Sequence, residues 1–516
     1  MGYDSNKGIL NQCVSANYKI IEKSNSGKLP FVDYYVFQVT SYVESLAMSD
    51  DLYPRISVDK IFLMRCIIEC LAIIKMCIDG DIPPESKELI YYFPIVVEEK
   101  LSKKYSNIKV WNEVEVSKGY KLVKKLYREK MNGMSHSKFE GVLRSKLPFL
   151  LENYKYEDII KKYLPDFCGV YKLFSIIIHP NDLSVSLDRL KIKSYDSLIN
   201  GFLKEVSIAL NRLNYSTSIV EKNIANNFRY KMGIFNDSNQ EAKSYLLCSS
   251  DQKKALDNIG ELIEELTSNN PISIGLKELG ASILGLANDR LLGITEVIAC
   301  KIKYIFELCA YINYLISLCY DDNQLELMEL ANIHTEIQLS TYDNNVSLEK
   351  EEFKIIFMNL LKAFKIYSRI ENISFDSFLK QFMKSTGFSS FNSITEFVYK
   401  MIDDVEKNEE KREYMKLMYD ESQMVSHANG YILFGSRSVF YNFINCISIT
   451  DKIVIYMLEH YAFLWENSSM KEKIPSDFLE RLNDNIKIIK DKMHEKYNID
   501  YEWIFSNLNE KLFRIV

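Results

Sequence analysis

Apolar residues recur along this chain at helical spacing, and two stretches are apolar almost without a break. Residues 61–77 read IFLMRCIIECLAIIKMC and residues 299–315 read ACKIKYIFELCAYINYL. Runs of that length with neither glycine nor proline predict helices buried on every side. Near the C-terminus, Pro475 precedes Ser476 and Asp477 in an N-cap arrangement, and Phe478, Leu482, Ile486 and Ile489 then follow the spacing of an amphipathic helix. A last helix is expected around Trp503, Ile504, Leu508 and Leu512. Period-two alternation is scarce. FCGVYKLFSIIIH (167–179) is the best strand candidate, because Ile176–Ile178 are β-branched.

That candidate is decided by comparing the chain with itself. Aligning Glu69 with Glu307 sets Arg65 on Lys303, so basic-x-x-x-Glu occurs inside both apolar runs at an offset of 238. VESLAMSDD (43–51) meets ILGLANDR (283–290) upstream, and KLYREK (125–130) meets KIYSRI (365–370) downstream. Tyr171, His179 and Asn181 are spaced as are Tyr419, His427 and Asn429, now at an offset of 248. Matches in one order at nearly one offset predict an internal duplication, with the drift absorbed by loops. Duplicated elements share secondary structure, and KLMYDESQMVSHANG (416–430) reads as helix, so 167–179 is expected to be helix too. Pro180 with Asn181, and Asn429 with Gly430, supply the stops.

The expected fold is therefore all-α: two divergent copies of a helical-bundle domain in tandem, plus C-terminal helices. The predicted divisions are an N-terminal segment (1–29), copy one (30–215), a linker region (216–254), copy two (255–465) and a C-terminal extension (466–516).

Composition agrees with that class. Among 516 residues there are only 10 prolines and 18 glycines, fewer punctuators than sheets and their turns usually need. The net charge of −6, from 64 basic and 70 acidic side chains, gives no global attraction to nucleic acid or to an anionic membrane. Ten cysteines lie scattered without a CxxC pair, as expected of reduced thiols in a cytoplasm, and no metal spacing is present. The apolar runs carry Arg65, Glu69, Lys75 and Glu307, so they predict buried helices rather than membrane spans. The start MGYDSNKGILNQ lacks the apolar core of a signal peptide. No membrane association and no cofactor are expected.

The chemistry that remains is charged. Arg65 and Glu69 stand four apart on one helix face, as do Lys303 and Glu307. Either charge buried alone costs several kcal/mol, so each needs its neighbour or a third polar group. Such a pair is an internal ion pair that fixes helix register, or a polar site with Glu as general base. His179 and His427 can move protons near neutrality, or can cap the helix that each one ends. Tyr171 and Tyr419, two turns earlier, can donate a hydrogen bond to the same site or pack as core. Lys121, Lys124, Lys125 and Arg128 line one helix face. From Lys118 to Lys146 nine basic side chains meet two acidic ones, a local +7 that suits phosphate.

Other classes are excluded by missing signatures. No phosphate-binding G-x-x-x-x-G-K-[ST], dinucleotide G-x-G-x-x-G, H-E-x-x-H or G-x-S-x-G occurs. Nor does any His follow an Arg at the four-to-six-residue gap used by one type of helical toxin ribonuclease; His136 follows Arg128 by eight.

The R-x-x-x-E helix at LMRCIIE (63–69), followed by YKLFSIIIHPN (171–181), resembles a bacterial family of helical domains of unassigned function, some encoded in phage-defence or mobile-element loci. Copy two departs from that pattern, with Lys303 for the arginine and Ala428 for the proline. The resemblance implies a defence context and no particular reaction. The expected function is a cytoplasmic stress or antiviral-defence protein, acting as a helical effector or sensor. If it is catalytic, the reaction is RNA cleavage: Arg65 stabilises phosphate, His179 moves protons, Glu69, Tyr171 and Asn181 complete the site, and Lys121–Arg128 hold the strand. The alternative is a non-catalytic interaction or scaffold protein with a pseudo-dimeric repeat and a protein partner.

Overall fold

In a computed structural model, the described residues are 3–26, 30–52, 58–82, 93–107, 113–130, 155–178, 190–192, 195–215, 249–266, 271–292, 295–317, 346–348, 394–425, 443–468 and 474–497. They are all-α but for one short pairing. The helices of the first half are α1 (Tyr3–Ser26), α2 (Phe31–Leu52), α3 (Val58–Ile78), α4 (Phe93–Lys104), α5 (Glu113–Lys130), α6 (Tyr156–Tyr163), α7 (Cys168–Ile177) and α8 (Tyr195–Arg212). Those of the second are α9 (Ser250–Glu265), α10 (Pro271–Leu292), α11 (Thr295–Ser317), α12 (Ile394–Val405), α13 (Glu409–Val425), α14 (Phe443–Asn467) and α15 (Phe478–Tyr497). The strand candidate at 167–179 is helix α7 over most of its length. The expected helix around Trp503 lies outside the described residues, as do the segments at 131–154 and 349–393. A three-residue antiparallel pair, β1 (Leu190–Ile192) with β2 (Val346–Leu348), joins the halves, with Leu190 opposite Leu348.

The two apolar runs form the two central helices. Every residue from Lys60 to Ile74 is buried in α3, and every residue from Ile298 to Ile312 is buried in α11. These windows are the same length and sit at the offset of 238 that aligns Glu69 with Glu307. Each fully buried Ile, Leu or Phe side chain contributes roughly 1.5–3 kcal/mol, so these helices supply much of the hydrophobic driving force.

Around each central helix the neighbours recur in one order. In the first half α1 packs on α2, α2 on α3, and α3 also meets α6, α7 and α8. In the second α9 packs on α10, α10 on α11, and α11 also meets α12, α13 and α14. Helix α1, which precedes residue 30, adds Cys13, Ala16 and Ile20 to the first core. Helix α15 packs on α9 and α14 and buries Phe478, Leu482, Ile486 and Ile489, the positions of its apolar stripe.

Local chemistry sets the helix ends. α3 stops at Gly80, whose φ of +78° suits a residue without Cβ. The Asp81 N–H then reaches the Met76 carbonyl at 3.1 Å and closes a Schellman turn. α8 ends in the same way on Asn214 (φ +60°), with the Tyr215 N–H on the Leu210 carbonyl at 2.8 Å. At the start of α9 the Ser249 hydroxyl accepts from the Gln252 N–H at 3.1 Å.

The halves share a seam. α3 packs on α11, and Cys300 of α11 belongs to the first core. Conversely, Val58 and the α4 residues Val97 and Leu101, with Tyr105 just beyond, are buried in the second core. Helix α4 therefore precedes most of the first half's helices in sequence but sits on the second half.

Candidate functional site

A spacing of four residues, a little over one helical turn, sets Arg65 and Glu69 on one face of α3, and their ion pair is 3.0 Å long. Tyr171, on α7, donates its hydroxyl proton to Glu69 Oε1 at 3.0 Å. The second half has a similar arrangement, with lysine in the place of arginine. Lys303 Nζ lies 3.0 Å from Glu307 Oε1 and 3.1 Å from Oε2, and Tyr419 of α13 donates to Oε1 at 3.0 Å. Cation, carboxylate and tyrosine thus converge in both halves. The expectation that each charge finds compensation beside it holds at both places.

Both triads are sealed. Glu69, Glu307 and Tyr419 are 0% exposed, Arg65 3% and Tyr171 6%. Burial works against the Arg65 charge, yet the Glu69 carboxylate, helped by Tyr171 and Cys66, outweighs it and holds the guanidinium above its ordinary value. Burial first, then Glu69, pushes the Tyr171 hydroxyl up, so it stays a donor; burial and Glu307 do the same at Tyr419. The Arg65 guanidinium also lies 5.9 Å from the Phe62 ring centre and 6.0 Å from that of Tyr171. In this arrangement both carboxylates are occupied by a cation and a tyrosine hydroxyl. General-base work on a solute needs an oxygen that a substrate can reach, and neither Glu69 nor Glu307 presents one.

His179, Asn181, His427 and Asn429 lie outside the described residues. Lys121 and Lys125 are exposed on α5 and Lys124 is half-buried; Arg128 is in the same helix, its side chain outside the described ones. Gly119 and Val123 face inward, where Gly119 meets Ile95 of α4.

Three further polar clusters were not evident in the sequence. Asp420, next to Tyr419, accepts from Tyr105 at 2.8 Å, from Lys104 at 2.7 Å and from Tyr399. It ties the end of α4 to α12 and α13. The adjacency to Tyr419 was visible, but only the tertiary contact identifies its partners. Lys301 pairs with Asp289, both buried, joining α11 to α10. Asp289 lies in the segment that aligns with VESLAMSDD, whose Glu44 instead accepts from Asn17 of α1 at 2.7 Å. At the seam the Cys66 thiol contacts Cys300, and that contact and burial push its pKa well up.

A pocket of about 360 Å³ opens between the C-terminal ends of α3, α6 and α8, away from both triads. Its charges are largely matched within the wall: Lys75 pairs with Glu205 at 2.6 Å, and Lys162 with neighbouring Asp81 at 2.7 Å. Among the described residues no group of three His, Cys, Asp or Glu side chains converges as a metal would require, and no helix is long and apolar enough to cross a membrane. No protein-family model, curated protein or solved structure matches this chain.

Proposed function

We propose that this chain is a helical RNA-binding protein of a bacterial stress or antiviral-defence system, a cytoplasmic sensor or effector whose triads hold the scaffold and perform no chemistry. One contrast carries this reading. The charged groups of the two triads are sealed and paired with one another, while Lys118, Lys121 and Lys125 of α5 are exposed on a chain whose net charge is −6. Phosphate attraction needs only exposed, closely spaced cations.

The two halves are read as divergent copies of one domain. The same triad, the same fifteen-residue buried window and the same order of helix packing support that descent. The defence context rests on the resemblance of 63–69 and 171–181 to the helical family described above. RNA cleavage through Arg65, Glu69 and His179 is disfavoured, because a strand must first displace an ion pair whose carboxylate is 0% exposed.

The test is binding and turnover measured together on the full chain. Fluorescence anisotropy with a labelled single-stranded RNA of about twenty nucleotides is expected to show binding that weakens as salt rises, with the RNA recovered intact. Cleavage that Arg65→Met abolishes without loss of folding would restore the catalytic reading. A protein partner is the second reading, favoured by Phe463 and Ile488, large apolar side chains each 40% exposed on the adjacent helices α14 and α15. No RNA binding, together with a stable complex lost on Phe463→Ser, would select it.

A further inference from the structure

We infer that the polyanion surface is composite, formed by α4 and α5 together, and that it takes a phosphodiester backbone across both helices; this rests on the RNA-binding reading above. The sequence carries the same pattern on each helix. Lys100-Leu101-Ser102-Lys103-Lys104 closes α4, and Lys121-Leu122-Val123-Lys124-Lys125 lies within α5. In each, the lysines fall at i, i+3 and i+4 and so share a face.

The packing of α4 on α5 sets these faces side by side. Tyr120 marks the join: the Lys103 ammonium lies 5.8 Å and the Lys124 ammonium 4.8 Å from its ring centre. Two cations from different helices are thereby held around one aromatic ring, and the attraction of each to the ring offsets their mutual repulsion. Lys100, Lys118, Lys121 and Lys125 are exposed around them. Glu99 pairs with Lys103 and Lys104 with Asp420, so those two cations are partly matched. Lys104 and Tyr105 on Asp420 also anchor the α4 arm to the second half, which fixes where the surface points.

The chemistry favours nucleic acid over a lipid surface. A membrane-lying helix needs a broad apolar face, and the apolar side of α5 is turned into the protein at Val123. Leu122, 54% exposed, is a single apolar side chain set among lysines. Spaced ammonium groups on two crossing helices match the repeat of phosphates and read no base.

The experiment measures the salt dependence of RNA binding for the full chain and two charge-removing pairs, Lys121→Gln/Lys125→Gln and Lys100→Gln/Lys103→Gln. Each lysine contacting a single strand contributes about 0.7 to the slope of log K against log salt. Each pair is expected to lower that slope by about 1.4 and the quadruple variant by about twice as much, with unchanged melting curves. If the α4 pair binds as the parent does while the α5 pair is weakened, the composite surface is refuted and the RNA-binding reading stands. If the parent binds no RNA, that reading itself falls. Lysine-dependent binding to phosphatidylserine vesicles in place of RNA overturns the choice of ligand.

Discussion

Removing one member of a sealed triad has a cost that follows from its geometry. In Arg65→Met the Glu69 carboxylate, 0% exposed, loses the guanidinium that lies 3.0 Å from it, while the Tyr171 hydroxyl stays at 3.0 Å. Breaking a buried pair from one side costs about 3–5 kcal/mol. For a cooperative unit of roughly 200 residues each kcal/mol lowers the melting temperature by roughly 2–4 °C, so a drop of roughly 6–20 °C is expected. The loss also acquires a sign in pH. A buried carboxylate that has lost its cation has its folded pKa raised above the ordinary value of about 4.3, so the folded state holds the proton longer. Relative to the parent, the variant is then most stable below that value and loses stability as pH rises through the window up to the raised pKa. Arg65→Met/Glu69→Leu removes both charges but leaves the Tyr171 hydroxyl without its acceptor, at about 1–3 kcal/mol. Adding Tyr171→Phe is expected to return stability close to the parent, because well-packed apolar replacements of buried ion pairs are often neutral. The assay is thermal unfolding followed by circular dichroism between pH 5 and 8. A single variant that melts with the parent, or a triple variant no better than the single, refutes the account of Arg65 and Glu69 as scaffold.

The other expectations use different parts of the molecule. Lys303→Met is expected to reproduce the Arg65→Met loss within the same range in denaturant titrations, since Lys303 bridges both oxygens of Glu307. His460, buried against Tyr456 and Phe463, has its pKa lowered by burial to about 4. Its contribution is fully present above the unfolded value of about 6.5 and is lost as pH falls from there toward 4, by roughly 3 kcal/mol in all. His460→Phe is expected to flatten that part of the stability–pH curve. Gly280 lies where a Cβ would come within 2.7 Å of Ile263 Cδ1 and 2.9 Å of the Tyr461 hydroxyl, so Gly280→Ala is expected to cost about 1–3 kcal/mol by overpacking. Gly8→Ala, with nothing near its Cβ position, is expected instead to stabilise α1 by up to about 1 kcal/mol; equal shifts for the two in urea unfolding count against the α9–α10–α14 packing.

What the sequence determined by itself is whatever depends on spacing along one helix. An apolar run that carries a cation and, four residues on, a glutamate has to be a buried helix with its own ion pair, and α3 and α11 are that. The eight-residue interval from Tyr171 to His179, repeated from Tyr419 to His427, led to the expectation of helix at 167–179, and α7 occupies Cys168–Ile177. Residue type and interval also marked the basic face of α5. Contacts between distant segments obey no such interval, and only the tertiary structure decided them. Nothing in the order of residues says that α4 buries Leu101 and Tyr105 in the far half, or that Asp420 receives Lys104 and Tyr105 from more than three hundred residues away. Nor could spacing decide whether the triads line a pocket or lie within the core. Solvent exclusion is a collective property of all the helices around α3 and α11, and it is their packing that leaves both ion pairs within the core.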